Sequence, residues 1–225
     1  MRQGQLCIPD LLDRLQKAYS PQAPSFPADP YEFLVWWHCG YPASDAACAK
    51  GWDKLKQEVG IEPEKLLRAT PGKLASALKA GGMVPELRAQ RLKEIAMCVQ
   101  DEFGGDLRAA LVGPIPKARK TLKRFPGIAD PGADRILLFA GIAPIAAVPS
   151  NCVHVLARIR QGRESQNYSA DYREAQLAIG AEVPEKFDPR MRAYLLLKCH
   201  GQETCKRTNP KCDQCPVSHH CAYKR

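Results

Sequence analysis

The chain has 225 residues, enough for one large or two small domains with a proper core, so no disulfide staple is needed. Its formal charge of +9, from 33 Lys+Arg against 24 Asp+Glu, favours an anionic partner, nucleic acid being the commonest; the alternative is a soluble basic surface. No apolar run of about 18 residues occurs, so no helical membrane span is expected, and MRQGQLCIPDLLDRLQ reads as an amphipathic helix without a signal core.

A reducing, cytoplasmic location follows (nucleoid-associated if prokaryotic) rather than secretion. There the ten cysteines are free thiols or metal ligands.

Helical spacing and helix punctuation dominate from end to end. The expected helices are 8–19, 30–39, 44–59, 62–68, 71–80, 85–103, 116–124, 131–141, 150–160, 170–180 and 188–200. Asp29-Pro30, Thr70-Pro71 and Asp188-Pro189 each put a capping side chain before a proline, whose missing N–H costs nothing in a first turn. Asp45 is expected to cap the helix after Pro42. Residues 20–28 form a proline-rich linker. Short helices with short connections predict an all-α, orthogonal assembly.

Residues 116–141, PKARKTLKRFPGIADPGADRILLFAG, read as a basic helix, a tight turn and a second helix. The exposed amides of such a turn, with the helix dipole behind them, can grip a phosphate without reading sequence. Lys117, Arg119, Lys120, Lys123 and Arg124 make the flank cationic. An ordinary helical corner of the core is the competing reading.

The chain closes on Cys205, Cys212, Cys215 and Cys221, spaced Cys-x6-Cys-x2-Cys-x5-Cys. Structural zinc sites pair two short Cys knuckles, and only Cys212 and Cys215 form one here. A compact run of four thiolates suits a 4Fe-4S cubane, one thiolate per iron. Zinc and unrelated thiols are the alternatives. Lys206, Arg207 and Lys211 between the ligands either balance a negative cluster or face phosphates.

This C-terminal spacing resembles the cluster loop of the endonuclease III-like, helix-hairpin-helix DNA glycosylase superfamily. The hairpin resembles the family's Leu-Pro-Gly-Val-Gly-x-Lys-Thr-Ala at Phe125, Pro126, Gly127, Ile128 and Ala133, and departs at Ala129. Residues 30–55 and 147–160 are also similar to family segments. The resemblance implies two helical domains with a DNA-binding cleft between them. A six-helix barrel would span 28–143 and carry the hairpin. Segments 1–27 and 144–225 would form the cluster domain.

It also implies where chemistry should sit. Aligned without gaps, the family's Schiff-base lysine falls on Pro131 and its aspartate on Pro149. Pro42 replaces a glutamine that relatives use to fill the gap left in DNA. His38 stands about where adenine-excising relatives place a glutamate acid. Asp134 and Asn151 are the other candidate catalytic groups, and Trp37 or Tyr41 can stack on a flipped base. Each also has a bland reading: a packed histidine or tryptophan, a solvated carboxylate, a DNA or water contact.

The sequence thus predicts a monomeric 4Fe-4S base-excision-repair protein that binds damaged or mismatched double-stranded DNA. As an enzyme it would be a monofunctional N-glycosylase without lysine lyase chemistry. Lys120, Lys123, Arg124, the turn Pro126–Ala129, Lys206 and Arg207 would hold DNA. The alternatives are a catalytically inactive DNA-binding protein on the same scaffold and a zinc-containing module.

Overall fold

A computed structural model describes residues 6–224. The opening residues of the amphipathic stretch and of segment 1–27, and Arg225, lie outside the described residues. Among the described residues the regular structure is entirely helical. The helices are α1 (Ile8–Ala18), α2 (Pro30–His38), α3 (Asp45–Glu58), α4 (Pro63–Arg68), α5 (Pro71–Leu78), α6 (Pro85–Phe103), α7 (Leu107–Leu111), α8 (Ile115–Leu122), α9 (Asp130–Phe139), α10 (His154–Gln161), α11 (Tyr168–Glu182) and α12 (Phe187–Glu203).

Capping chemistry explains most boundaries. Asp29 Oδ1 accepts from the amides of Tyr31 and Glu32 at 2.9 and 3.1 Å, and Thr70 Oγ1 accepts from Lys73 at 3.2 Å. Two caps shift from expectation. Ser44, not Asp45, takes the amide of Ala47 (3.3 Å), so Asp45 is the first helical residue of α3. The last long helix begins at Phe187, which puts Asp188 and Pro189 inside its first turn. The sequence reading omitted α7, which Asp106 starts by accepting from the amide of Ala109 at 3.0 Å.

Two compact units result, Pro24–Ala129 and Met1–Ala23 with Asp130–Arg225. In the first, α6 packs along α4 and α5, and α2 lies against α3 and α6. Its core includes Phe33, Leu34, Trp36, Leu55, Leu74 and Leu92. In the second, Ile8, Leu11, Leu12 and Leu15 of α1 share one core with Val155, Leu156 and Ile159 of α10, Ile179 of α11 and Leu197 of α12. Burying a leucine this fully stabilises the fold by about 1.5–3 kcal/mol. The division falls at 23/24 and 129/130, against 27/28 and 143/144 expected. The reason lies in α9, which packs on α12 with Phe139 edge-on to Tyr194 (5.2 Å between ring centroids).

Candidate iron–sulfur centre and hairpin turn

The four cysteines of the C-terminal run line one cavity, together with Arg158 and His200. Two helices hold the loop that carries them. From α10, Arg158 is buried and spends its guanidinium on that loop. It donates to Lys206 O (2.8 Å) and Arg207 O (3.0 Å), reaches Cys205 Sγ at 3.9 Å, and is charge-balanced by Glu164 at 2.8 Å. Tyr223 stacks under it, 4.8 Å from the guanidinium carbon. His154, one turn earlier, bonds Cys205 O through Nε2 at 2.7 Å. Its Nδ1 is buried without a hydrogen-bond partner among the described residues.

From α12, His200 is completely buried. Its Nε2 lies 3.9 Å from Cys215 Sγ and its Nδ1 2.7 Å from the Tyr19 hydroxyl. The thiol of Cys221 points at Arg158 O (3.9 Å). Burial pushes the Cys205 thiol up to about 11, against the pull of Arg158, and also raises Cys215. Such thiols ionise only when a strong Lewis acid binds them. Soft donors around a shared cavity, with a cation against one sulfur, fit a thiolate-ligated cluster. Lys206 and Arg207 have their carbonyls pulled inward by Arg158 while both residues stay exposed. Arg207 lies 3.5 Å from Glu164.

The hairpin turn shows a different economy. Lys120, Lys123 and Arg124 are exposed along the end of α8, although Arg124 also pairs with Glu102 at 2.5 Å. In the turn, the amide of Ile128 closes onto Phe125 O at 3.2 Å. Gly127 and Ala129 are exposed, and Gly127 takes φ +71°, where glycine is at ease. His38 stands beneath it, 1% exposed, with Nε2 2.8 Å from Pro126 O. Burial, with Arg91 and Arg88 nearby, lowers its pKa to about 4, so near neutrality it is an uncharged donor to that carbonyl. It is the closest contact that a Cβ on Gly127 would meet, at 3.5 Å.

The remaining expected residues separate. Trp37 stacks on Tyr41 (4.1 Å, 19° between planes), whereas Trp36 joins Phe26 and Phe33; Pro42 is exposed. In the other unit, Pro131 is the second residue of α9 and Pro149 precedes a 3-10 turn, so both prolines occupy helix starts. Asp134 is 1% exposed. Its Oδ2 accepts from the Tyr172 hydroxyl (2.7 Å) and from Gln176 Nε2 (2.6 Å). Only Asn151 of the three expected catalytic groups is exposed.

One feature escaped the sequence reading. Arg88 of α6 is buried and donates to the carbonyls of Leu78 (3.0 Å), Gly82 (2.6 Å), Met83 (3.0 Å) and Cys39. Gly51 and Gly81 crowd the same Cys39 carbonyl so closely that a Cβ on either would overlap it. Beside the Arg88 clamp, Val84 takes φ +51°, a strained conformation for a β-branched residue, and Met83 is 83% exposed. The signal was Gly81-Gly82 followed by two apolar residues and Pro85, where a polar turn is usual.

A family model for the iron–sulfur binding domain of endonuclease III matches residues 205–221. Beyond that segment the chain is similar, over most of its length, to endonuclease III and to thymine/uracil-DNA glycosylases. It is 24% identical to endonuclease III of Thermotoga maritima over 197 residues, covering 88% of this chain and 84% of that protein. It is 25% identical to a thymine/uracil-DNA glycosylase of Methanothermobacter thermautotrophicus over 163 residues (71% and 67%). Its fold matches a trapped endonuclease III–DNA covalent intermediate with a TM-score of 0.76 at 18% identity, over 98% of both chains. A thermostable thymine-DNA glycosylase matches at 0.74 and 22%, over 96% and 94%. The cysteine quartet thus lies within a match to an iron–sulfur binding domain.

Proposed function

We propose that this chain is a base-excision-repair protein that binds damaged double-stranded DNA and hydrolyses an N-glycosidic bond without a lysine Schiff base. The observation that carries the reading is the contrast between a retained iron–sulfur domain and hairpin turn and the two prolines at helix starts. A proline at position 131 offers no amine to attack a sugar, so excision by this chain would leave an intact backbone. The relatives named thymine/uracil-DNA glycosylase and endonuclease III supply the class of reaction.

The exposed amides of Gly127 and Ala129, the cations of α8, and Lys206 and Arg207 are the groups suited to the phosphate backbone. Tyr41, half-buried and stacked on the buried Trp37, offers aromatic surface for an extruded base. Met83, whose carbonyl accepts from Arg88 and whose side chain is exposed, suits an apolar wedge between base steps. His38 and Asp134 are committed to internal hydrogen bonds, which leaves Asn151 as the candidate polar group able to meet a substrate.

The quartet fits a 4Fe-4S cluster better than one zinc ion. Four ligands at about 2.3 Å from a single zinc bring their sulfurs within about 4 Å of one another. The four cysteines line one shared cavity, as the ligands of one polynuclear cluster must. When bound, the cluster would cross-link and order residues 205–221 and add a redox-active centre beside the basic loop.

A second reading, a DNA-binding protein without activity, is favoured by the hydrogen-bonded burial of Asp134. A panel of duplexes carrying uracil, oxidised, deaminated or alkylated bases, developed with and without alkali, separates the two. Strand breaks that need alkali support a monofunctional glycosylase. Breaks without alkali overturn the claim that lyase chemistry is missing. Tight binding with no excision on any duplex supports the binder, and no binding to any duplex sinks both.

A further inference from the structure

The Cys215 side of the cluster cavity is backed by a hydrogen-bonded column drawn from two helices distant in sequence. Tyr19 ends α1, His200 lies in the last turn of α12, and Thr204 caps α12. The Tyr19 hydroxyl is 2.7 Å from His200 Nδ1 and 2.8 Å from Thr204 Oγ1, and His200 Nε2 faces Cys215 Sγ at 3.9 Å. His200 is 0% exposed, so water does not complete its bonds.

The proton inventory of this column depends on what Cys215 is. A ligating cysteine is a thiolate, which accepts hydrogen bonds and donates none. His200 Nε2 must then carry the ring hydrogen, because a bare nitrogen lone pair facing a thiolate is repelled. A neutral ring has only one such hydrogen, so Nδ1 must accept. Tyr19 has a single hydroxyl hydrogen and gives it to Nδ1; the Thr204 hydroxyl then donates to the Tyr19 oxygen. This arrangement satisfies all four groups together.

We propose that His200 donates its Nε2–H to the Cys215 thiolate and that Tyr19 and Thr204 are positioning residues that hold it in that tautomer. The proposal rests on the iron–sulfur reading of the quartet. It gives two ligands of one cluster different supports, a cation from Arg158 at Cys205 and a neutral donor at Cys215. A hydrogen bond to a cluster sulfur stabilises the more negative, reduced state, so this column raises the reduction potential.

The test uses the full chain, purified without oxygen. It reads iron content, visible absorbance and midpoint potential in wild type, His200→Leu, His200→Gln and Tyr19→Phe. His200→Leu is expected to lower the potential, with about a tenfold change in the redox equilibrium appearing as about 59 mV for one electron. His200→Gln keeps an N–H near Nε2 and is expected to restore most of the loss. Tyr19→Phe removes only the hydroxyl and is expected to fall between. If His200→Leu loses its cluster, Tyr19→Phe decides.

An unchanged potential in Tyr19→Phe together with His200→Leu, or in Tyr19→Phe alone where the leucine variant holds no cluster, overturns the proposal and leaves the iron–sulfur reading intact. A colourless wild type holding one zinc overturns that reading and the proposal with it.

Discussion

The cluster loop and the hairpin turn treat their buried polar groups in different ways. Around the cysteines, Arg158, His154 and His200 converge on cysteine sulfurs or on the backbone beside them. Near the hairpin, His38 is spent on Pro126 O, and in α9, Asp134 is spent on Tyr172 and Gln176. Both regions tie buried side chains to backbone carbonyls, but only around the cysteines do Arg158 and His200 also face sulfurs. A family motif therefore reports what a segment is built to hold, and the fate of each buried polar group reports whether it is still available for chemistry.

The largest break in this comparison is at a ligand. Cys212→Ser is expected to abolish stoichiometric iron and to free the loop that Arg158 gathers, lowering the thermal midpoint sharply. Iron analysis with thermal unfolding checks it. Full iron retention would mean that Cys212 is not a ligand. The same variant leaves the hairpin turn untouched in sequence, so any change in its histidine signals would show that the two regions are not independent.

The next effect lies in pH. Unfolded, His38 takes up a proton below about 6.5; folded, it does so only below about 4. The unfolded chain thus binds more protons in that window, and stability falls as pH drops through it. At about 1.4 kcal/mol per unit, the contribution present at pH 7 and lost by pH 4 is about 3 kcal/mol. His38→Gln keeps a donor for Pro126 O and has no such proton. Urea unfolding should show wild type losing about 3 kcal/mol more than this variant between pH 7 and pH 4. Equal losses would mean that His38 is not the buried neutral group described here.

The sequence made some of this legible and hid the rest for physical reasons. Proline after a capping residue located α2 and α5 because local geometry alone sets those starts. The cysteine quartet was legible because ligands on one loop must be close in sequence. Asp134 looked like a pocket carboxylate because its partners, Tyr172 and Gln176, are 38 and 42 residues away. Arg88 is not marked by its own residue type: three of its carbonyl partners lie five to ten residues before it, but the fourth, on Cys39, is 49 residues away. Its exposed neighbour, Met83, was hidden with it.

Met83 gives the smallest effect on stability and the sharpest statement about use. A side chain 83% exposed contributes little burial, so Met83→Ser should change the unfolding midpoint by no more than about 0.5 kcal/mol. Val84 beside it holds a strained backbone that costs about 1–3 kcal/mol, a cost the Arg88 clamp offsets. The wedge role proposed for Met83 requires that something outside the chain meet that methionine. If that something is a base step opened in DNA, Met83→Ser should weaken binding to a lesion-bearing duplex by about tenfold and binding to intact duplex far less, since only the former yields readily to an apolar wedge. Equal affinities for wild type and variant on both duplexes would take Met83 out of the DNA interface and leave the clamp as architecture alone.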